Sequence, residues 1–164
     1  MRLLSGFSLK EWACATVLLG GLSVFAVHHS NQRTSDARTA AIQVIFADMQ
    51  YYVSVLHDNA KTFKQDKGAN QCVLTAAGYQ EFYNGYPETQ SECGERVGFF
   101  DNLTITDEMK QADLVFIENN RYSIVGYGNK ESPEALMQGK CYAYYRLDGK
   151  GDDGHSFKVD TSRC

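Results

Sequence analysis

The sequence predicts an α+β protein, with one long N-terminal helix packed on an antiparallel sheet of about four strands. Two observations carry this expectation. Nothing interrupts a helix early in the chain: no Pro precedes Pro87 and no Gly lies between Gly21 and Gly68, and these are the residues that most often end helices. Later, β-branched and aromatic runs are separated by short clusters of Asn, Asp and Gly, which is how strands and their turns read.

The helix is expected from about Ser8 to Phe63. Ile42, Ile45, Met49, Tyr52, Leu56, Ala60 and Phe63 recur at steps of three and four, which places them on one apolar face. Asp48, Gln50, Asp58 and Lys61 fall largely elsewhere. Residues 72–111 mix polar groups, Gly and Pro87 with short apolar stretches, and a short helix is expected over Thr75 to Tyr83. Asp113 to Glu118 and Arg121 to Tyr127 flank Asn119-Asn120, the clearest hairpin signal in the chain. Cys141 to Leu147 and Ser156 to Asp160 read as two more strands around a Gly/Asp loop.

Composition narrows the function classes. At 164 residues the chain is long enough for one domain with a real core. Its net charge of −4 argues against nucleic acid as a partner, because a phosphate backbone calls for a basic face. A mean hydropathy of −0.38 excludes a polytopic membrane protein, yet that average hides a concentration at one end. From Trp12 to Val27 no residue is charged, and as a helix this run spans roughly 24 Å, extended by Phe7, Ser8 and Leu9 toward the ~30 Å of a bilayer core.

Cysteine usage points to an oxidising compartment. Cys14 lies in the apolar run, leaving Cys72, Cys93, Cys141 and Cys164 in the polar part, an even number that reads as disulfides. Zinc is a poor rival, since no Cys-x-x-Cys spacing exists and no His lies within five residues of these cysteines. Three connectivities are open. Local pairing, Cys72–Cys93 and Cys141–Cys164, closes each bridge within one excursion of the chain and is favoured.

The apolar arm admits three readings. As a cleaved secretory signal it would use Arg2 as its basic start and Val24-Phe25-Ala26 as its cleavage site. As an uncleaved anchor it would keep Arg2 and Lys10 on the cytoplasmic side. The third reading takes Met1 to Gly6 as a short leader, followed by Phe7-Ser8-Leu9-Lys10-Glu11 and then the apolar run. This arrangement resembles the processing site of type IV prepilins.

That resemblance implies cleavage between Gly6 and Phe7, N-methylation of Phe7, and pairing of Glu11 with the Phe7 amine of a neighbouring subunit during assembly. It also explains a carboxylate at the edge of a membrane segment, which is otherwise costly. Three further segments, Asp36-Ala37-Arg38-Thr39-Ala40-Ala41-Ile42-Gln43, Gly85-Tyr86-Pro87, and Cys141-Tyr142 with Asp160-Thr161-Ser162-x-Cys164, look like the mannose-sensitive haemagglutinin pilins of marine gamma-proteobacteria. Lys10, Gly20-Gly21 and His28-His29-Ser30 depart from that family's pattern, which implies a minor or divergent subunit.

The organisation then expected is a removed leader at 1–6, a transmembrane and filament-core helix at 7–29, and a periplasmic or extracellular head at 30–164. The implied function is a structural pilus subunit for surface adhesion, crossing the bacterial inner membrane once before assembly into an extracellular filament. Implied partners are other pilin subunits, the prepilin peptidase, the inner-membrane assembly machinery, and host or surface glycans. Two alternatives remain: a secreted or anchored lectin-like binding domain, and a pseudopilin of a type II secretion system.

No enzyme is expected, because no nucleophile–base pair, phosphate loop or carboxylate pair can be assembled from the spacing. No cofactor is implied either. Asp148, Asp152 and Asp153, set among glycines, form a weak calcium candidate, for which a solvated turn is the simpler reading. His28-His29 read as interfacial polar residues, and no Ser, Cys or acidic residue stands at a telling spacing from His57 or His155. Asn102-Leu103-Thr104 matches a glycosylation acceptor, read as chance.

Overall fold

The segment between Gly21 and Gly68, without Pro or Gly and with apolar residues every third or fourth position, folds as expected, within a helix α1 that runs Leu9–Thr62 and takes in Gly20 and Gly21 as well. The computed structural model describes residues 9–75, 77–94, 97–103, 113–148 and 154–164, with side chains from Ser30 onward. The chain divides into two compact units, Met1–Ala37 and Arg38–Cys164. The hydrophobic cores lie within the second. Among the described residues no helix is long and apolar enough to cross a membrane; the apolar run at 12–27 precedes the first described side chain.

Ile42, Ile45, Met49, Leu56 and Ala60 are all buried, and Val53 joins them. Phe63 does not. It is 68% exposed because the helix ends at Thr62 and the chain turns away through Lys64 at φ 58°. That left-handed residue lets the Gln65 amide donate to the Ala60 carbonyl at 2.8 Å, which satisfies one of the terminal acceptors.

In place of one sheet the protein builds two. A three-stranded antiparallel sheet comprises β1 (Gln71–Leu74), β2 (Tyr79–Tyr83) and β3 (Tyr86–Pro87), in that order. A four-stranded antiparallel sheet comprises β4 (Leu114–Asn119), β5 (Tyr122–Tyr127), β6 (Tyr142–Leu147) and β7 (His155–Asp160), also in chain order. The short helix expected at Thr75 to Tyr83 is therefore replaced by a turn and a strand. Gly78 sits at φ +140°, incompatible with a helix. Its carbonyl accepts both the amide and the hydroxyl of Thr75 at 2.7 Å, folding β2 back on β1 with Cys72 opposite Glu81.

The larger sheet follows the alternation of its strands. Leu114, Val125, Tyr127, Ala143, Tyr145 and Leu147 point toward α1 and pack with Ile42, Ile45, Met49 and Val53. Val115, Ile124 and Tyr142 point the other way and are covered by Leu136. That leucine belongs to α2 (Pro133–Gln138), which starts with Pro133 at its first position and with Ser132 accepting from the Ala135 amide. The smaller sheet meets the end of α1 through Val73, Phe82, Leu56 and Ala60. Disulfides join Cys72 to Cys93 and Cys141 to Cys164.

Gly85-Tyr86-Pro87 ties these layers together. The Gly85 carbonyl lies 2.9 Å from His57 Nδ1 on α1, so that nitrogen carries the proton, since a carbonyl only accepts. The Tyr86 ring stacks on His57 at 4.1 Å and meets His155 of β7 at 4.2 Å. The Pro87 carbonyl accepts from the Tyr145 hydroxyl of β6 at 2.9 Å. Burial holds the Tyr145 phenol well above its ordinary pKa, so it remains a neutral donor. Gly85 itself needs φ +80°, and a Cβ there would lie 3.1 Å from both His57 Nδ1 and the Asp66 backbone.

Candidate functional site

The residues expected to carry processing and assembly lie at the start of the chain. Gly6 and Phe7 are outside the described residues, and Glu11 lies on α1 but its side chain is outside them, as are those of Cys14, His28 and His29. Asp152 and Asp153 are also outside them. Asp148 pairs with Arg146 at 2.8 Å, and its amide donates to the Gly154 carbonyl at 2.8 Å, closing the β6–β7 loop. Among the described residues no group of three or more metal-ligating side chains comes together. The Asn102 amide is engaged internally, its Oδ1 accepting from the Thr75 hydroxyl at 2.8 Å.

The structure brings His57 and His155 together on the two sides of Tyr86, a juxtaposition no spacing could reveal. His57 stacks on Tyr86 alone, whereas His155 also meets Tyr145 and Phe157, so both rings serve the packing between α1 and the larger sheet.

Two surfaces stand out in the second unit. One is the outward side of α1. While Ile42, Ile45, Met49, Val53 and Leu56 face the sheets, Ala40, Val44, Ala47, Tyr51 and Val55 recur at steps of four, three, four and four on the opposite side, and all are exposed. Val44 is 55% and Tyr51 70% exposed. A helix that only closes a core carries polar residues there; this one carries a second apolar stripe. Its spacing was present in the sequence, masked by the stronger inner face.

The other is a polar cleft of about 420 Å³ where the two sheets approach, lined by Asn70, Tyr83, Glu88, Asn120, Arg121 and Asp148. The segment after β3 is fastened to the β4–β5 turn by the Thr89 hydroxyl, which donates to the Asn119 carbonyl. Asn119 Oδ1 in turn accepts from the amides of Arg121 and Tyr122 at 2.9 and 3.0 Å. Glu88 is half-buried in this wall. Burial pushes its carboxyl from an ordinary 4.5 up to about 7, with Glu81 and Glu92 adding repulsion and Arg121 opposing it. The cleft thus offers amide, phenol, guanidinium and a carboxyl that changes charge near neutrality.

Searches of protein-family models, of curated proteins and of solved structures each found no match to the chain.

Proposed function

We propose that this protein is a structural subunit of a type IV pilus, processed between Gly6 and Phe7 and packed into a filament through α1. The observation that supports this reading is the second apolar stripe, Ala40, Val44, Ala47, Tyr51 and Val55, on a helix whose other face is already buried. A filament spine needs a helix that serves its own head and its neighbours at once. The head, closed by its two disulfides, would form the outer surface and meet surface or host glycans. Glu11 would guide assembly by neutralising the Phe7 amine of the next subunit.

Mass spectrometry of the mature chain tests the proposal. N-methylated Phe7 at the N-terminus is the expected result. A start at Val27 means a secreted domain and a start at Met1 a simple anchor, and either overturns it. A photo-crosslinking residue at Tyr51 should join the chain to another pilin subunit in assembled filaments. Replacing Glu11 with Ala should leave membrane insertion intact and abolish incorporation.

The polar cleft favours a second reading, a secreted or anchored binding domain of lectin type, because amide, aromatic and charged side chains lining a concave site suit a polar ligand. The same N-terminal measurement separates the two.

A further inference from the structure

A second cavity, of about 410 Å³, opens beside the Cys141–Cys164 disulfide, with Arg38, Asp113, Tyr127, Lys130 and Arg163 on its wall. We propose that this cavity binds a phosphate or sulfate group, gripped by Arg38, Lys130 and Arg163. The inference does not depend on the filament reading.

The charge distribution motivates it. The chain is acidic overall, at −4, yet basic residues from three separate segments line this cavity: α1, the loop after β5, and the turn after β7. Among the described lining residues Asp113 is the one acidic side chain, and Cys164 lies on the same wall. Among the described residues no ion pair within 4 Å joins Arg38, Lys130 or Arg163 to an acidic group. Among the described residues, then, three cations and one side-chain carboxylate line a single cavity, and an anion entering it would be attracted by the excess positive charge.

Of the three cations Arg38 is held most firmly, while Lys130 and Arg163 are exposed. Arg38 is half-buried, and its guanidinium carbon lies 4.9 Å from the centre of the Tyr127 ring, which restrains its orientation. The Tyr127 amide donates to the Cys141 carbonyl at 2.9 Å, and the Arg163 amide to the Lys140 carbonyl at 3.1 Å. The disulfide then fixes the wall from which Arg163 projects. Two guanidiniums and an ammonium approaching from different elements suit a tetrahedral oxyanion, whereas one guanidinium fork satisfies a planar carboxylate alone. The cavity is within the size range of small-molecule sites, so the group can be free or carried on a saccharide.

The full chain in uncharged detergent micelles tests this by thermal unfolding against inorganic phosphate, with sodium chloride at matched ionic strength as reference. A saturable rise in Tm specific to phosphate is expected. Lys130→Gln and Arg163→Gln should each raise the concentration for half-effect about tenfold, the loss of one charge-assisted contact. Lys61→Gln, on the exposed end of α1, should change nothing, and Arg163→Lys should retain part of the effect. A sulfated heparin-derived disaccharide that saturates at lower concentration than phosphate, with the same sensitivity to Arg163→Gln, identifies an esterified ligand. Saturation by phosphate alone identifies the free ion. An Arg163→Gln protein that titrates like the wild type, or a response to phosphate no larger than to chloride, overturns the proposal.

Discussion

Replacing Glu88 with Gln isolates the electrostatic cost of the polar cleft. In the unfolded chain this carboxyl titrates near its ordinary 4.5, and in the folded protein near 7. Between those values the folded state holds a proton that the unfolded chain has released. The stability this contributes is therefore complete below pH 4.5 and is lost as pH rises through 7. Taken at face value, that displacement is worth roughly 3 kcal/mol. Glu88 is only half-buried, so solvent screening reduces the expected effect to about 1 kcal/mol. Urea unfolding of wild type and Glu88→Gln, followed by circular dichroism from pH 4 to 8.5, reads it directly. The two proteins should unfold alike near pH 4, and the variant should gain about 1 kcal/mol by pH 8.5. With an m-value of about 1.5 kcal/mol/M this separates the midpoints by roughly 0.7 M urea. Taking the difference removes other titrating groups, including Glu118, whose carboxyl burial also pushes up. Midpoints that stay parallel across the whole range would refute the reasoning, for they would mean that Glu88 ionises in the folded state as easily as in the unfolded one.

Three further predictions concern stability. Gly85→Ala should cost about 2 kcal/mol in the same urea assay, since it forces a side chain into left-handed backbone and against His57 and Asp66. Replacing either cysteine pair by serines should cost roughly 3 kcal/mol, the loop-closure entropy for separations of 21 and 23 residues; unchanged unfolding would mean the bridges are strained or redundant. Tyr52→Phe should be neutral or stabilising by up to ~1 kcal/mol, because the buried Tyr52 hydroxyl has no hydrogen-bond partner among the described residues. A loss above 1 kcal/mol would show that it has one.

How much of this was legible in the sequence depends on whether a pattern was local and unmixed. The inner face of α1 was readable from Ile42 to Ala60 because its period repeats five times without conflict. The β4–β5 hairpin was readable because Leu114 to Asn119 and Tyr122 to Tyr127 are strongly β-forming around one turn. The three-stranded sheet was hidden by its own polarity. Tyr79-Gln80-Glu81-Phe82-Tyr83 buries Gln80 and Glu81 almost completely, and these are tolerated only because distant groups satisfy them. Gln80 Nε2 donates to the Glu88 carbonyl, and Glu81 Oε2 accepts from the Glu92 amide at 2.9 Å. No reading of five residues can supply such partners. The cleft and the cationic cavity were invisible for the same reason, each drawing its wall from several distant segments. The outer stripe of α1 was the exception, a periodic signal present in plain sequence but overshadowed by its neighbour.

The disulfides also determine how the Arg38–Cys164 unit responds to being pulled. Cys141 and Cys164 stand just outside the two ends of the β6–β7 hairpin, and β7 is an edge strand. Peeling that strand from its C-terminal side, the easiest route by which a sheet comes apart under tension, is closed off while the bridge is intact. Cys72–Cys93 does the same for the small sheet, whose second and third strands lie inside its loop. Each bridge withholds 21 or 23 residues of slack, roughly 75–80 Å of extended chain. A tethered molecule built this way lengthens little before it breaks, and it becomes markedly more extensible when reduced.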